Sequence, residues 1–279
     1  MLPILLHIPN TPIRIFSFGA MMVIAVWSAL ALGIWRSRRE GLNPEQVGDM
    51  AFFVILWGLV GARVFYVVEV WGKPEMTTIV DALAIWRGGI VLYGSLLGAA
   101  IGFIIYRCLR QIPILPTLDV IAPSLTLGAA FGRIGCFLNG CCYGDRCSLP
   151  WAVRFPKQTS PWVDHLDHGW ITENASRSLP IHPTQLYAAF DGFLLLALLT
   201  AFYPLRKRDG EVMALLMVTY PISRFLIERL RDDDGVFALG MTISQGISVA
   251  ILAGGVAFWA WLWSRDQTPL FAARAEHRS

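Results

Sequence analysis

Arg224 and Glu228 stand four residues apart in an apolar run, with Tyr220 four residues before them. On a helix this spacing puts all three on one face, where guanidinium and carboxylate can pair. Arg63, Tyr66 and Glu69 make a second such stripe, and Asp119, Arg133 and Asp191 lie in other apolar runs. An ionisable group at mid-membrane costs about 2.5–3.5 kcal/mol on insertion scales, so a chain keeps one where it pairs, lines a wet cavity or works. For any single residue, pairing that fixes helix packing is a sufficient account. For the set it is not, because Arg63, Arg133 and Arg224 fall at similar depth in the outer-facing halves of their runs. Planar, permanently charged forks suit phosphate or carboxylate, and a phospholipid head group is the anion most available there.

Two glycine-bearing segments could serve the same anion. Trp86–Ser95, with Gly88, Gly89 and Tyr93, opens the third apolar run. Adjacent glycines at a helix start allow close backbone approach and leave N–H groups free. Gly132–Gly144 carries glycines at 132, 135, 140 and 144, spacings expected to break a helix where Arg133 and Asn139 could line a pocket. Tight helix packing is the alternative account of both segments. Cys136, Cys141, Cys142 and Cys147 crowd the same stretch. In an outward-facing region a disulfide is permitted, and a strained vicinal 141–142 bond makes Cys136 or Cys147 the expected partner. Metal binding is possible, but there is no CxxC pair and no His at familiar zinc spacing, so it is the least favoured account; packing, a disulfide or a part in chemistry are favoured over it. Cys108 is expected to be inert. His182-Pro-Thr-Gln-Leu-Tyr187 precedes the fifth run. Pro183 suits a helix start, Thr184 or Gln185 can satisfy free N–H groups, and His182 is either a general base or a capping residue.

The elements that must position these residues are membrane helices. Of 279 residues, 55% are hydrophobic and 15% charged, with a mean hydropathy of +0.54, against about 25% charged in an ordinary soluble domain. The 11 tryptophans fit a membrane–water boundary. A net charge of +3 is too small to imply a nucleic-acid partner. Seven windows approach the roughly 20 apolar residues a spanning helix needs: Ile15–Trp35, Met50–Trp71, Ile90–Tyr106, Leu118–Phe137, Leu186–Pro204, Val212–Leu230 and Leu239–Trp263. Arg36, Arg38 and Arg39 follow the first, Arg107 and Arg110 the third, Arg206–Arg208 the fifth and Arg265 the seventh. The positive-inside rule then predicts an outside N-terminus and a cytoplasmic C-terminus. Residues 139–183 read as a small ordered elaboration on the outer side between helices 4 and 5, and 264–279 as a polar cytoplasmic tail. The first apolar run outlasts the h-region of a removable signal peptide. The expectation is one all-α integral membrane domain, 1–279, with about seven transmembrane helices.

Taken in order, these segments resemble the prolipoprotein diacylglyceryl transferase family from about Phe16 to Gly254. The match rests on Gly61–Tyr66, the Gly88–Gly89 turn, Gly132–Gly144, His182–Tyr187, and Tyr220, Arg224 and Glu228. The resemblance implies an enzyme of the bacterial inner membrane that moves the diacylglyceryl group of phosphatidylglycerol to the lipobox cysteine of a prolipoprotein signal peptide, leaving glycerol phosphate. No metal or organic cofactor is implied. It places Arg133, Arg224, Tyr93 and His182 in catalysis, and Arg63, Asn139, Gly144, Tyr220, Glu228, Gly88 and Gly89 in substrate binding. The chain departs from the family pattern: Tyr93 stands where best-known members have His, Cys136 where they have Asn, Cys141 where they have Glu, and Phe18 where Tyr is common. The base is therefore open among Tyr93, His182 and a carboxylate, unless clustered positive charge alone ionises the thiol. Competing readings are a lipid-head-group transferase acting on another nucleophile, a thiol-redox or metal-handling protein built on Cys136–Cys147, and a transporter, for which the paired interrupted helices are missing.

Overall fold

The structure is a computed structural model that describes residues 4–7, 14–72, 78–84, 88–89, 91–231, 236–238 and 240–265. Helices fill all seven apolar windows: α1 Ser17–Arg39, α2 Pro44–Val70, α4 Leu92–Arg110, α5 Ile114–Asn139, α7 Thr184–Phe202, α8 Glu211–Glu228 and α9 Ile243–Trp263. Two shorter helices, α3 Ile79–Leu83 and α6 Ser160–Asp167, lie between them. Five segments are long and apolar enough to cross a membrane: α1, α2, α5, α9, and α7 with the 3₁₀ turn that carries it to Leu205. Their outer surfaces suit lipid, with Val23 65%, Trp27 73% and Val68 76% exposed, where a soluble surface would not gather such residues. The all-α expectation holds, with one small addition outside the helices. Two small antiparallel hairpins are present, β1 Ile4–His7 with β2 Arg14–Phe16, and β3 Val236–Ala238 with β4 Met241–Thr242.

The described chain divides into two compact units, one of residues 33–117 and one of 1–32 with 118–279. In the first, α2 starts at Pro44 behind Asn43, whose side chain accepts from the Glu45 N–H. It packs on α4 along a seam of small residues. A Cβ at Gly61 would lie 2.8 Å from the Gly98 Cα and would also strike the Gly94 carbonyl; one at Gly102 would lie 2.7 Å from the Trp57 Cβ. Gly94, Gly98 and Gly102 repeat every four residues and so share one helix face, the arrangement that lets membrane helices approach closely.

In the second unit the core joins Leu195, Leu199 and Tyr203 to Val212, Met213, Leu216 and Ala122, bringing α5, α7 and α8 together. Gly192 admits Ala130 and Gly255 admits Met217 at close range. α9 starts at a capping box between Thr242 and Gln245. Segment 140–183 is ordered by its own core of Tyr143, Phe155 and Ile181. Buried His165 accepts from the Leu179 N–H at 3.1 Å, and the Trp162 indole donates to Ala175 O at 2.8 Å. His165 and His168 also pack against Trp170. These two histidines hold the segment together.

Candidate active site

Helix α5 carries charge near both ends, and the two ends are built differently. Near its start, fully buried Asp119 accepts from the N–H groups of Gly210 at 2.8 Å, Val212 at 3.0 Å and Met213 at 3.1 Å. It thereby caps α8 from another helix. Arg206 closes the group, 3.7 Å from Asp119 and 3.8 Å from Asp209. Asp191 accepts from the Ser223 hydroxyl at 2.7 Å and ties α7 to α8. Both acids are structural.

The last turns of α5 carry Arg133, which has no hydrogen bond or ion pair among the described residues and lies within electrostatic reach of Arg224 and Cys142. The Arg224–Glu228 pair expected from the spacing is formed. Glu228 is wholly buried, accepts from the Thr242 hydroxyl at 3.2 Å and meets Arg231 at 3.7 Å. Arg224 also reaches Ser244 at 3.3 Å and lies near Tyr220. One carboxylate thus serves two guanidiniums, and Arg133 stands beside them. Guanidiniums that repel one another stay close at a cost, and an anion between them relieves it. Arg231, beside this pair, is a residue that the sequence reading did not single out. It follows Glu228 by three, but beyond the helix end, in a stretch that reads as loop.

α5 runs through Gly132 and Gly135, as the expected window to Phe137 required, and extends to Asn139. Gly140, at φ +79°, ends it, with its N–H donating to Cys136 O at 2.9 Å. Gly144 is packed against the Leu230 carbonyl, Thr184 and His182; its role is close approach. Thr184 and Gln185 do not satisfy their own helix start, the role expected of them. They reach across to the loop, donating to Cys142 O at 3.0 Å and to Cys141 O at 2.7 Å. These bonds hold Cys142 at φ +57°, a conformation uncommon outside glycine. The sulfurs of Cys136, Cys141 and Cys142 consequently lie within 4.8 Å of one another, and all five cysteines of the chain are free thiols. Hydrogen bonds from the Cys136 and Cys141 thiols, with the charge of Arg133 and Arg231, hold the Cys142 thiol below its ordinary pKa. The Asn139 side chain bonds the Cys141 thiol. His182 lies 3.4 Å from the Tyr187 hydroxyl, which accepts from the Trp151 indole at 2.7 Å.

The unit of residues 33–117 holds the remaining candidates. Arg63, 7% exposed, directs its five N–H groups at carbonyl oxygens. Nε donates to Ala82, Nη1 to Gly88 and Gly89, and Nη2 to Asp81 and Ala84, at 2.5–3.3 Å. The ring of Tyr66 lies 5.1 Å from its guanidinium. Arg63 therefore organises the chain ahead of α4. Gly88 and Gly89 sit at φ +87° and +78°, and a Cβ at Gly89 would enter the Tyr66 ring. Trp86, Arg87 and Ile90 of this motif lie outside the described residues. Tyr93, in the first turn of α4, is 42% exposed.

Known proteins match this chain along nearly its whole length. A family model described as prolipoprotein diacylglyceryl transferase matches residues 3–261. A phosphatidylglycerol–prolipoprotein diacylglyceryl transferase of Clostridium tetani is 31% identical over 247 residues, covering 88% of this chain and 92% of its own. One from Nostoc is 31% identical over 276 residues, covering 95% and 90%. One from Paraburkholderia phymatum is 28% identical over 289 residues, covering 95% and 94%.

Proposed function

The chain belongs to the prolipoprotein diacylglyceryl transferase family, and we propose that it transfers the diacylglyceryl group of phosphatidylglycerol to the lipobox cysteine thiol of a prolipoprotein signal peptide. The observation that carries the assignment of its site is Arg133, unpaired among the described residues, beside the Arg224–Glu228 pair.

The reaction is a displacement at carbon. The substrate thiol gives up its proton and its sulfur bonds to the glyceryl carbon that carries the phosphate oxygen. That C–O bond breaks, and its electron pair leaves with glycerol phosphate. The phosphate goes from one negative charge as a diester towards two as a monoester. Arg133 and Arg224 therefore bind the departing group more strongly than the substrate, which lowers the barrier and not merely KM. Glu228 aims Arg224, while Tyr220 and Asn139 bound the head group. Arg63 contributes indirectly by positioning Gly88, Gly89 and the start of α4. The proton acceptor is Tyr93, His182 or a carboxylate, unless clustered positive charge alone ionises the thiol, and pH–rate profiles of Tyr93→Phe and His182→Ala test the first two by whether either variant loses the acid limb.

The same reading makes the chain one polytopic domain of the bacterial inner membrane. Its seven long helices would all cross, with the N-terminus and segment 139–183 outside and the C-terminus in the cytoplasm. Arginines in the last turns of α1 and α4 support that orientation. The deciding experiment incubates the detergent-purified protein with phosphatidylglycerol and a lipobox peptide and looks by mass spectrometry for the diacylglyceryl thioether and glycerol phosphate. Product that disappears in Arg133→Gln supports the reading; wild-type turnover in that variant removes the phosphate assignment.

A further inference from the structure

Diacylglyceryl transfer has no use for a cluster of thiols belonging to the enzyme, since the nucleophile arrives on the substrate. Cys136, Cys141 and Cys142 nevertheless hold their sulfurs within 4.8 Å of one another. Three ligands around one metal at a metal–sulfur distance of about 2.3 Å lie about 4 Å apart, so a sub-ångström contraction closes the site. The chain builds this arrangement from several directions. Gly140 ends α5 one turn after Cys136, Cys142 takes a positive φ, and Thr184 and Gln185 of α7 fix the carbonyls of Cys142 and Cys141. Asn139 bonds the Cys141 thiol from outside the triad, as an outer-shell partner does. Cys147, also a free thiol, stands apart from the group.

We propose that Cys136, Cys141 and Cys142 form a three-coordinate site for one soft cation, Cu(I). Soft thiolates select soft metals, and the described residues offer no fourth His, Cys, Asp or Glu to complete a closed four-ligand zinc site. Binding replaces thiol protons, which leave to solvent, and no electron is transferred. The resulting anionic copper–thiolate centre faces the guanidiniums of Arg133 and Arg231. A disulfide is the competing fate of such a cluster. It would need an oxidant and would have to form between adjacent residues or between Cys136 and the loop, and either bond consumes two of the three ligands.

The test uses the full chain in detergent under anaerobic reducing conditions, titrated with Cu(I) against a chromophoric Cu(I) chelator. One equivalent is expected to be drawn from the chelator, with thiolate-to-copper charge-transfer absorption in the near ultraviolet. Cys142→Ser and Cys141→Ser are expected to lose more affinity than the roughly 10–100-fold that removing an outer-shell partner costs, and Asn139→Ala to fall in that range. Cys147→Ser and Cys108→Ser should bind as the parent does. Melting temperatures of each variant without copper separate loss of ligand from loss of fold. The proposal is overturned if no copper is taken from the chelator. It is equally overturned if the Cys141→Ser and Cys142→Ser proteins, folded normally, bind as tightly as the parent, or if Zn(II) binds at this site and Cu(I) does not.

Discussion

The two ends of α5 carry opposite solutions to the same problem of charge among apolar helices. At the Asp119 end the acid answers three backbone N–H groups and a guanidinium. At the Arg133 end one carboxylate is shared by two guanidiniums and a third cation has no counter-ion among the described residues. Charged residues that build a fold are matched within it, whereas those that act on a substrate leave part of the match to the substrate. Arg63, with its five carbonyl partners, belongs with Asp119 in this respect. Charge inside an apolar segment thus marks candidates, and partner inventory sorts them.

The sharpest way to break the comparison is to remove the structural acid. Asp119→Ala leaves buried Arg206 without one of its carboxylates and three N–H groups at the start of α8 without acceptors. Breaking such a buried group costs about 3–5 kcal/mol. The expected outcome is a large fall in melting temperature in detergent, with transferase turnover per folded molecule close to that of the parent. A variant of full stability would mean that the cap is dispensable and the contrast false.

The mirror-image experiment comes next in size. Arg133→Gln removes a cation that no described residue pairs, so folding should be nearly indifferent to it. Losing one stabiliser of the developing charge costs about 10²–10³ in rate. The measurement is kcat with phosphatidylglycerol and a lipobox peptide, alongside the melting curve. A large drop in stability with intact turnover would reverse the assignments of the two ends.

This distinction was only partly legible in the sequence. The seven apolar windows gave seven helices because a run of about 20 apolar residues has few other stable forms. Their boundaries moved where local chemistry intervened: α5 passes Gly132 and Gly135, which pack against Met22 and against Met21 and Phe18 of α1, and ends where Gly140 takes the left-handed cap. Arg224 and Glu228 could be paired from spacing alone, since a helix converts four residues into one face. Asp119 could not be paired, because its backbone partners lie more than ninety positions away, across a tertiary contact between Asp119 and Gly210–Met213. The thiol triad was hidden for a related reason. Its spacing matches no short metal motif, and it forms only because Thr184 and Gln185, which read as ordinary helix-start residues, reach across to the loop.

Glu228 lies on both sides of the comparison and should respond on both. It is buried like Asp119, yet it aims a residue of the site. Glu228→Gln keeps the shape, removes the charge and weakens bonds to Arg224, Arg231 and Thr242. Hydrogen bonds to charged groups contribute about 1.5–3 kcal/mol each. We expect a loss of that order divided between melting temperature and kcat. An effect confined to stability would make Arg224 a packing residue and leave Arg133 alone at the phosphate.

The smallest effect is expected at Arg231, and it tests whether nearness to the site is enough to matter. Arg231 meets Glu228 at 3.7 Å, longer than a good hydrogen bond, and bears electrostatically on Cys142. If it merely shares the acid, Arg231→Gln leaves Glu228 wholly to Arg224, and the head-group site keeps both its cations. Turnover should then change by less than about tenfold, or 1.4 kcal/mol, with the rate no more sensitive to added salt than the parent's. If instead Arg231 touches the departing phosphate, its loss should match that of Arg133→Gln, and the two substitutions should fail to add when combined. The double variant therefore decides the membership of the site: additive single effects leave Arg231 outside it, and non-additive ones make the phosphate site a cluster of three arginines.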